Sequence, residues 1–272
     1  MRTGLGNVVL NYRIDGDEGM PPLVLSHGLG LDLTMWEPQM AALSRVFRVL
    51  RYDTRGHGAS VDSAAPCTIE DLGRDVLALL DQAGVDRAHF CGFSMGGMIG
   101  VWLGIHAPER LDKLVLAHTA ARIGPRSMWN ERIEIVNASG MRAISEAAMQ
   151  RWFTPDFLAA RPPVVAALRE VFERNSAAGY VRCCAAVRDA DFLEAIGSIR
   201  TPTLVISGIL DAATTLADGR VLAERIVGAE FVEVGSAHLS NFEKPTEFSA
   251  ALLAFLSKDI DAYAAGSPPS RE

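Results

Sequence analysis

The sequence predicts an α/β protein, a mostly parallel sheet covered by helices on both faces and interrupted once by a helical insertion. Three observations lead there. Short apolar runs of strand length alternate with segments of helical period up to residue 121. The alternation stops over residues 122–198, and it resumes at residue 203. Regular alternation of this kind marks a parallel sheet with helical crossovers. A chain of 272 residues has room for one such domain with an insertion, and not for two ordinary enzymes.

In chain order, residues 22–26 (PLVLS) and 47–52 (FRVLRY) read as buried strands. Residues 70–83 carry Leu72, Val76, Leu79 and Leu80 on one helical face. Residues 87–93 predict a strand, 95–106 a helix stopped by Pro108, and 113–118 a further strand. Between 122 and 198 the period is helical, the composition rich in Ala, Arg, Met and Trp, with Pro155, Pro162 and Pro163 as punctuation. Residues 203–207 (TLVIS) and 230–234 restore the strand rhythm around a helix at 218–227, and 245–256 closes with an amphipathic helix. The expected organisation is therefore a core of residues 1–121 and 199–258 and a helical cap of 122–198. The end, 259–272, with Gly266, Pro268 and Pro269, reads as a loose tail.

Composition bounds the function. Apolar residues make up 49% and charged ones 22%, as in folded globular chains rather than disordered ones. The balance of 26 basic against 33 acidic side chains, net −7 without a Lys/Arg run, disfavours nucleic acid as a partner. No signal peptide is evident at the start, and no apolar stretch approaches the ~20 residues of a membrane-spanning helix. Cys67, Cys91, Cys183 and Cys184 lack metal-ligand spacing, and the adjacent pair suits a disulfide poorly. Buried thiols in a reduced, cytoplasmic protein are the expectation.

Chemistry concentrates in Gly92-Phe93-Ser94-Met95-Gly96, set between a predicted strand and a predicted helix. A serine on that sharp turn is exposed above the sheet, and flanking glycines let neighbouring backbone approach. The following helix directs its positive end at the site. Serine needs a base, and the base an orienting carboxylate, in the chain order serine, acid, histidine. Three histidines follow Ser94. His106 sits at a helix end, His118 ends a strand and could face the pocket, and His238 lies in the loop after the strand 230–234. His238 is the favoured base. Asp211, after the strand 203–207, is the favoured acid, over Asp218, which reads as an N-cap or first-turn residue. Backbone N–H groups of Met95 and Leu29 are the expected oxyanion donors. His27 and the Asp53-Thr54-Arg55-Gly56-His57-Gly58 turn read as structural supports.

Several blocks are more specific: residues 47–58, 90–97, Thr119-Ala120-Ala121-Arg122-Ile123-Gly124 and Arg151-Trp152-Phe153-Thr154. Together they resemble 3-oxoadipate enol-lactonases of the α/β-hydrolase superfamily, over residues 8–256. The resemblance implies a mostly parallel eight-stranded sheet with the cap inserted after the sixth strand. It also implies ring opening of a carboxylated enol-lactone through an acyl-enzyme, with no metal and no cofactor. A carboxylated substrate calls for cations or fixed donors, for which Arg122, Trp129, Arg151 and His118 are candidates. The chain departs from the family pattern at His118, where Asn is usual, and at Ile209-Leu210 before the acid, positions at strand ends that could line the pocket. Competing readings are a general carboxylesterase, lactonase or perhydrolase, a carbon–carbon bond hydrolase, and a non-catalytic ligand receptor on the same fold.

Overall fold

Runs of Val, Leu and Ile without polar alternation can be accommodated only where a strand is covered on both faces, and the central strands are buried accordingly. The computed structural model describes residues 2–5 and 8–258, so the tail expected at 259–272 lies outside the described residues. Eight strands form the sheet: β1 (Arg2–Leu5), β2 (Val8–Asp15), β3 (Pro22–Ser26), β4 (Arg48–Tyr52), β5 (Ala88–Phe93), β6 (Leu111–Ala117), β7 (Thr203–Gly208) and β8 (Glu230–Val234). Their spatial order is β1-β2-β4-β3-β5-β6-β7-β8. The two pairings that involve β2 are antiparallel and the remaining five are parallel.

The N-terminal pair β1–β2 has no counterpart among the strands read from the sequence. Its residues (RTGL and VVLNYRID) mix polar and apolar side chains, and an antiparallel pair at a sheet edge needs no continuous apolar run. From β3 the chain steps outward to β4 and then returns across β3 to β5. The loops that leave the carboxyl ends of β3 and β5 therefore diverge, opening a crevice at the switch point where open α/β sheets bind ligands.

Helices α1 (Glu37–Leu43), α2 (Ile69–Gln82) and α3 (Met95–His106) follow in the first half. Thr68 and Asp71 form a reciprocal capping box that starts α2 one residue ahead of the sequence expectation. Helix α3 is buried nearly all round, between β5, β6 and α2. The insertion between β6 and β7 consists of α4 (Arg126–Ser139), α5 (Arg142–Trp152), α6 (Pro155–Ala160), α7 (Pro162–Arg174) and α8 (Ala177–Asp189). Pro155 and Pro162 occupy first-turn positions, where a missing N–H costs nothing. Helix α4 packs on α8 and α5 on α7. The second half adds α9 (Leu216–Arg225), α10 (Ser240–Glu243) and α11 (Pro245–Leu256). Asp218 is the third residue of α9, closing a capping box with Thr215, so its carboxylate serves the helix start.

Two polar clasps join insertion and sheet. Asn175 accepts from Gly58 N–H at 3.0 Å and donates to the Gly30 carbonyl at 2.8 Å. Glu243 accepts from Thr154 N–H at 2.6 Å with one oxygen and from Ala237 N–H at 2.7 Å with the other. The four cysteines are free and buried, and no described helix is long and apolar enough to cross a membrane.

Candidate active site

Ser94 stands at the turn from β5 into α3 with φ 55° and ψ −113°. A left-handed φ on a non-glycine residue costs on the order of 1–3 kcal/mol and persists only where surroundings enforce it. Here Ser94 N–H donates to Ala117 O at 2.9 Å, and Thr119 Oγ1 donates to Ser94 O at 2.7 Å. The flanking glycines are sterically required. A Cβ on Gly92 would lie 2.1 Å from Gly96 O, and one on Gly96 would lie 2.3 Å from Ser26 O.

Asp211 follows β7 and is buried. Its Oδ1 accepts from Ala213 N–H (2.7 Å) and Thr214 N–H (3.0 Å). Its Oδ2 accepts from His238 Nδ1 at 2.7 Å, His118 Nδ1 at 2.9 Å and Thr214 Oγ1 at 3.0 Å. Burial opposes the ionised carboxyl, but the charge His238 can carry and the hydrogen bonds from His118 and His238 outweigh it. The group is held well below the usual carboxylate range. Asp211, His118 and His238 also bring metal-type donors together. Both Nδ1 atoms, however, lie at hydrogen-bond distance from one carboxylate oxygen, a geometry for sharing protons.

The loop after β3 approaches from the other side of the crevice. His27 Nε2 accepts from Thr54 N–H at 2.9 Å, and His57 Nε2 accepts from Gly30 N–H at 2.9 Å. Burial and the neighbouring His27 push His57 down to about 3, so it stays neutral and able to accept. Asp53 Oδ1 accepts from Leu33 N–H, and its Oδ2 from Ala59 N–H and Asn11 Nδ2, all at 2.8 Å. The 53–58 turn is thus the buttress of the loop that carries Leu29. Among the described residues the N–H groups of Leu29 and Met95 have no protein acceptor, and both residues line the cavity at Ser94.

That cavity measures about 380 Å³. Ser94, Met95, Leu29 and His238 form its floor, and α4, α5 and α8 roof it with Trp129, Arg132, Arg151 and Trp152. Trp129 Nε1 donates to Ile123 O at 2.6 Å, which fixes the indole, and the Arg132 guanidinium lies 4.7 Å from the centroid of that ring. Among the described residues neither Arg132 nor Arg151 has a carboxylate partner. Two basic lining residues against one acidic, Glu131, leave the cavity suited to an anion.

Of the residues expected from sequence, Ser94, Leu29, Met95, His238, Trp129 and Arg151 line this cavity, with Asp211 directly behind His238. Three expectations are corrected. Arg122 does not line it; the side chain is exposed and paired with Asp191 at 3.2 Å. His118 does not face the pocket; it is fully buried against Asp211 and Ser240. Ile209 and Leu210 are 51% and 61% exposed at the surface, and the residues that reach the cavity from this loop are Ala212, Ala213 and Thr214. Phe153 stacks on Phe157 inside the insertion, while its neighbour Trp152 lines the cavity. His106 lies exposed at the end of α3 beside Trp102. Sequence reasoning missed Arg132. Its place three residues after Trp129, on the same helical face, is the signal that could have found it.

Residues 21–140 match the model of the α/β hydrolase fold family. The chain is 42% identical to 3-oxoadipate enol-lactonase 2 of Acinetobacter baylyi over 93% of its own length and 94% of that protein's. It is 39% identical to 3-oxoadipate enol-lactonase 1 of the same organism, over 91% and 93%. The crystal structure of the enol-lactonase from Burkholderia xenovorans LB400 superposes with a TM-score of 0.93 at 44% identity, covering 95% of this chain and all of that one.

Proposed function

The chain belongs to the 3-oxoadipate enol-lactonase family of α/β hydrolases, and from that premise we propose that it opens the ring of 3-oxoadipate enol-lactone by acyl transfer to Ser94. The observation that carries the reading is a cavity holding Ser94 and the Asp211-backed His238 in its floor and, in its roof, two guanidiniums that have no carboxylate partner among the described residues. Ser94 Oγ attacks the lactone carbonyl while His238 Nε2 takes its proton. Asp211 holds Nδ1, fixing the tautomer and stabilising the imidazolium. The N–H groups of Leu29 and Met95 receive the oxyanion, aided by the N-terminus of α3.

The ring oxygen leaves as an enol, a better leaving group than an alkoxide, and takes up the proton from His238. It remains tethered to the acyl-enzyme because acyl and leaving groups belong to one ring. Water, activated by His238, then releases the product, and ketonisation makes the step hard to reverse. Arg132 and Arg151 hold the substrate carboxylate, with Trp129 fixing the position of Arg132. The helices at 126–189 act as a cap that shapes this carboxylate end.

The test compares kcat/KM for 3-oxoadipate enol-lactone with that for a neutral aryl ester and for γ-butyrolactone. A large preference for the carboxylated lactone is expected. Equal values would remove the substrate assignment while leaving an ester and lactone hydrolase.

A further inference from the structure

His118 occupies a position for which packing alone gives no reason. It is fully buried and one of two non-glycine residues with positive φ among the described residues, at 47°; the other is Ser94. Its N–H donates to Ile206 O at 2.8 Å, which holds the strained backbone. The ring stacks on Phe93 with centroids 4.9 Å apart and planes 19° apart. It packs closely over Gly208, where a Cβ would lie 3.0 Å from His118 Cε1. Both ring nitrogens are engaged. Nδ1 meets Asp211 Oδ2 at 2.9 Å and Nε2 meets Ser240 Oγ at 2.6 Å.

These contacts define the proton positions. Ionised Asp211 can only accept, so Nδ1 of His118 is the donor, and Nε2 must then accept from the Ser240 hydroxyl. Burial, outweighing the pull of Asp211, holds His118 below the usual imidazole range, and the ring is neutral. Asp211 Oδ2 consequently receives two imidazole N–H groups, from His118 and His238. One negative charge faces two bases. His238 is the ring that lines the cavity, whereas a proton at His118 Nε2 would require the Ser240 hydroxyl to turn from donor to acceptor inside the protein.

Resting on the assignment of His238 as base and Asp211 as its partner, we propose that His118 is a positioning residue for the reaction. It donates to the same Asp211 Oδ2 that His238 uses and withdraws part of the carboxylate charge that would otherwise stabilise a protonated His238. It thereby keeps His238 in its proton-accepting form to lower pH. The other charged groups facing this pair are Glu243 on α10 and, across the cavity, Arg132, Arg151 and Glu131. All of them stay in place when His118 alone is changed.

The test uses the full-length protein with a neutral aryl ester, so that it does not depend on the natural substrate. The pH profile of kcat/KM is recorded for the wild type, His118→Phe and His118→Asn, together with low-field imidazole N–H proton resonances. Two low-field resonances are expected in the wild type and one in each variant. The acid limb should move to higher pH by about half a unit to one unit in His118→Phe, which has no donor. The move should be smaller in His118→Asn, which keeps an N–H for Asp211. If His118→Phe fails to fold, His118→Asn decides by the loss of one resonance with an upward move of the limb. Folded variants whose acid limb coincides with the wild type would overturn the proposal and leave His118 a packing residue. His238→Ala provides the separate check: undiminished turnover there would overturn the base assignment itself, whatever His118 does.

Discussion

In the floor of the cavity both oxygens of Asp211 are saturated, with five donors on one carboxylate. In the roof, Arg132 and Arg151 reach the same space with no carboxylate to pair with among the described residues. The contrast separates two tasks. A group that must hold one geometry through every turnover is over-determined by buried hydrogen bonds. A group that recognises a substrate keeps its bonding capacity for the ligand. The floor should therefore govern kcat and the roof KM and selectivity.

The largest effect that could break this division lies in the floor. Ser94→Ala or His238→Ala should lower kcat by about 10⁴-fold or more with KM within a few-fold. Steady-state kinetics checks this, and a variant that altered KM while keeping kcat would place the chemistry elsewhere.

How much of each region could be read from the sequence follows the same split. The floor was legible because it depends on local patterns: a Gly-x-Ser-x-Gly turn between strand and helix, and an acid and a histidine each placed just beyond a strand end. The inner parallel strands β3 and β7 were legible because burial on both faces favours continuous apolar runs. The pair β1–β2 was not, since an antiparallel edge imposes no such run. The roof was poorly legible because a helix surface does not announce which side meets a cavity. Arg122 and Arg151 look alike in sequence, yet one pairs with Asp191 and the other lines the site. His118 ends a strand, from which it could face the pocket, but with φ at 47° its ring meets Asp211 instead.

Next in size, Arg132→Ala and Arg151→Ala should each raise KM for the carboxylated lactone by about 10- to 100-fold, the range of a charge-assisted hydrogen bond. A neutral aryl ester should be turned over with KM changed by less than about twofold. Equal effects on both substrates would remove that arginine from carboxylate binding. Smaller still is the clasp between the two regions. Glu243→Gln sets an amide N–H₂ against a backbone N–H at either Thr154 or Ala237. It should lower Tm by about 3–8 °C in a thermal melt and kcat by only a few-fold.

The smallest effect concerns the buttress beneath the floor. His57 is neutral in the fold and titrates at about 3, against 6.5 for an unperturbed imidazole. Between those values the unfolded chain binds more protons, so stability rises with pH. The contribution is complete above about pH 6.5 and is lost as pH falls toward about 3. Urea midpoints measured across that window should show this fall, and His57→Gln should flatten it. An unchanged slope would mean that other groups dominate acid unfolding.

Acyl transfer at Ser94 beneath a carboxylate-binding roof is tested by active-site labelling with a fluorophosphonate ester, read by peptide mass spectrometry in the presence and absence of 3-oxoadipate. The label should fall on Ser94 alone, slowed by 3-oxoadipate in the wild type and not slowed when Arg132 and Arg151 are both replaced by alanine. Labelling at another residue, or a rate that 3-oxoadipate leaves unchanged in the wild type, would contradict it.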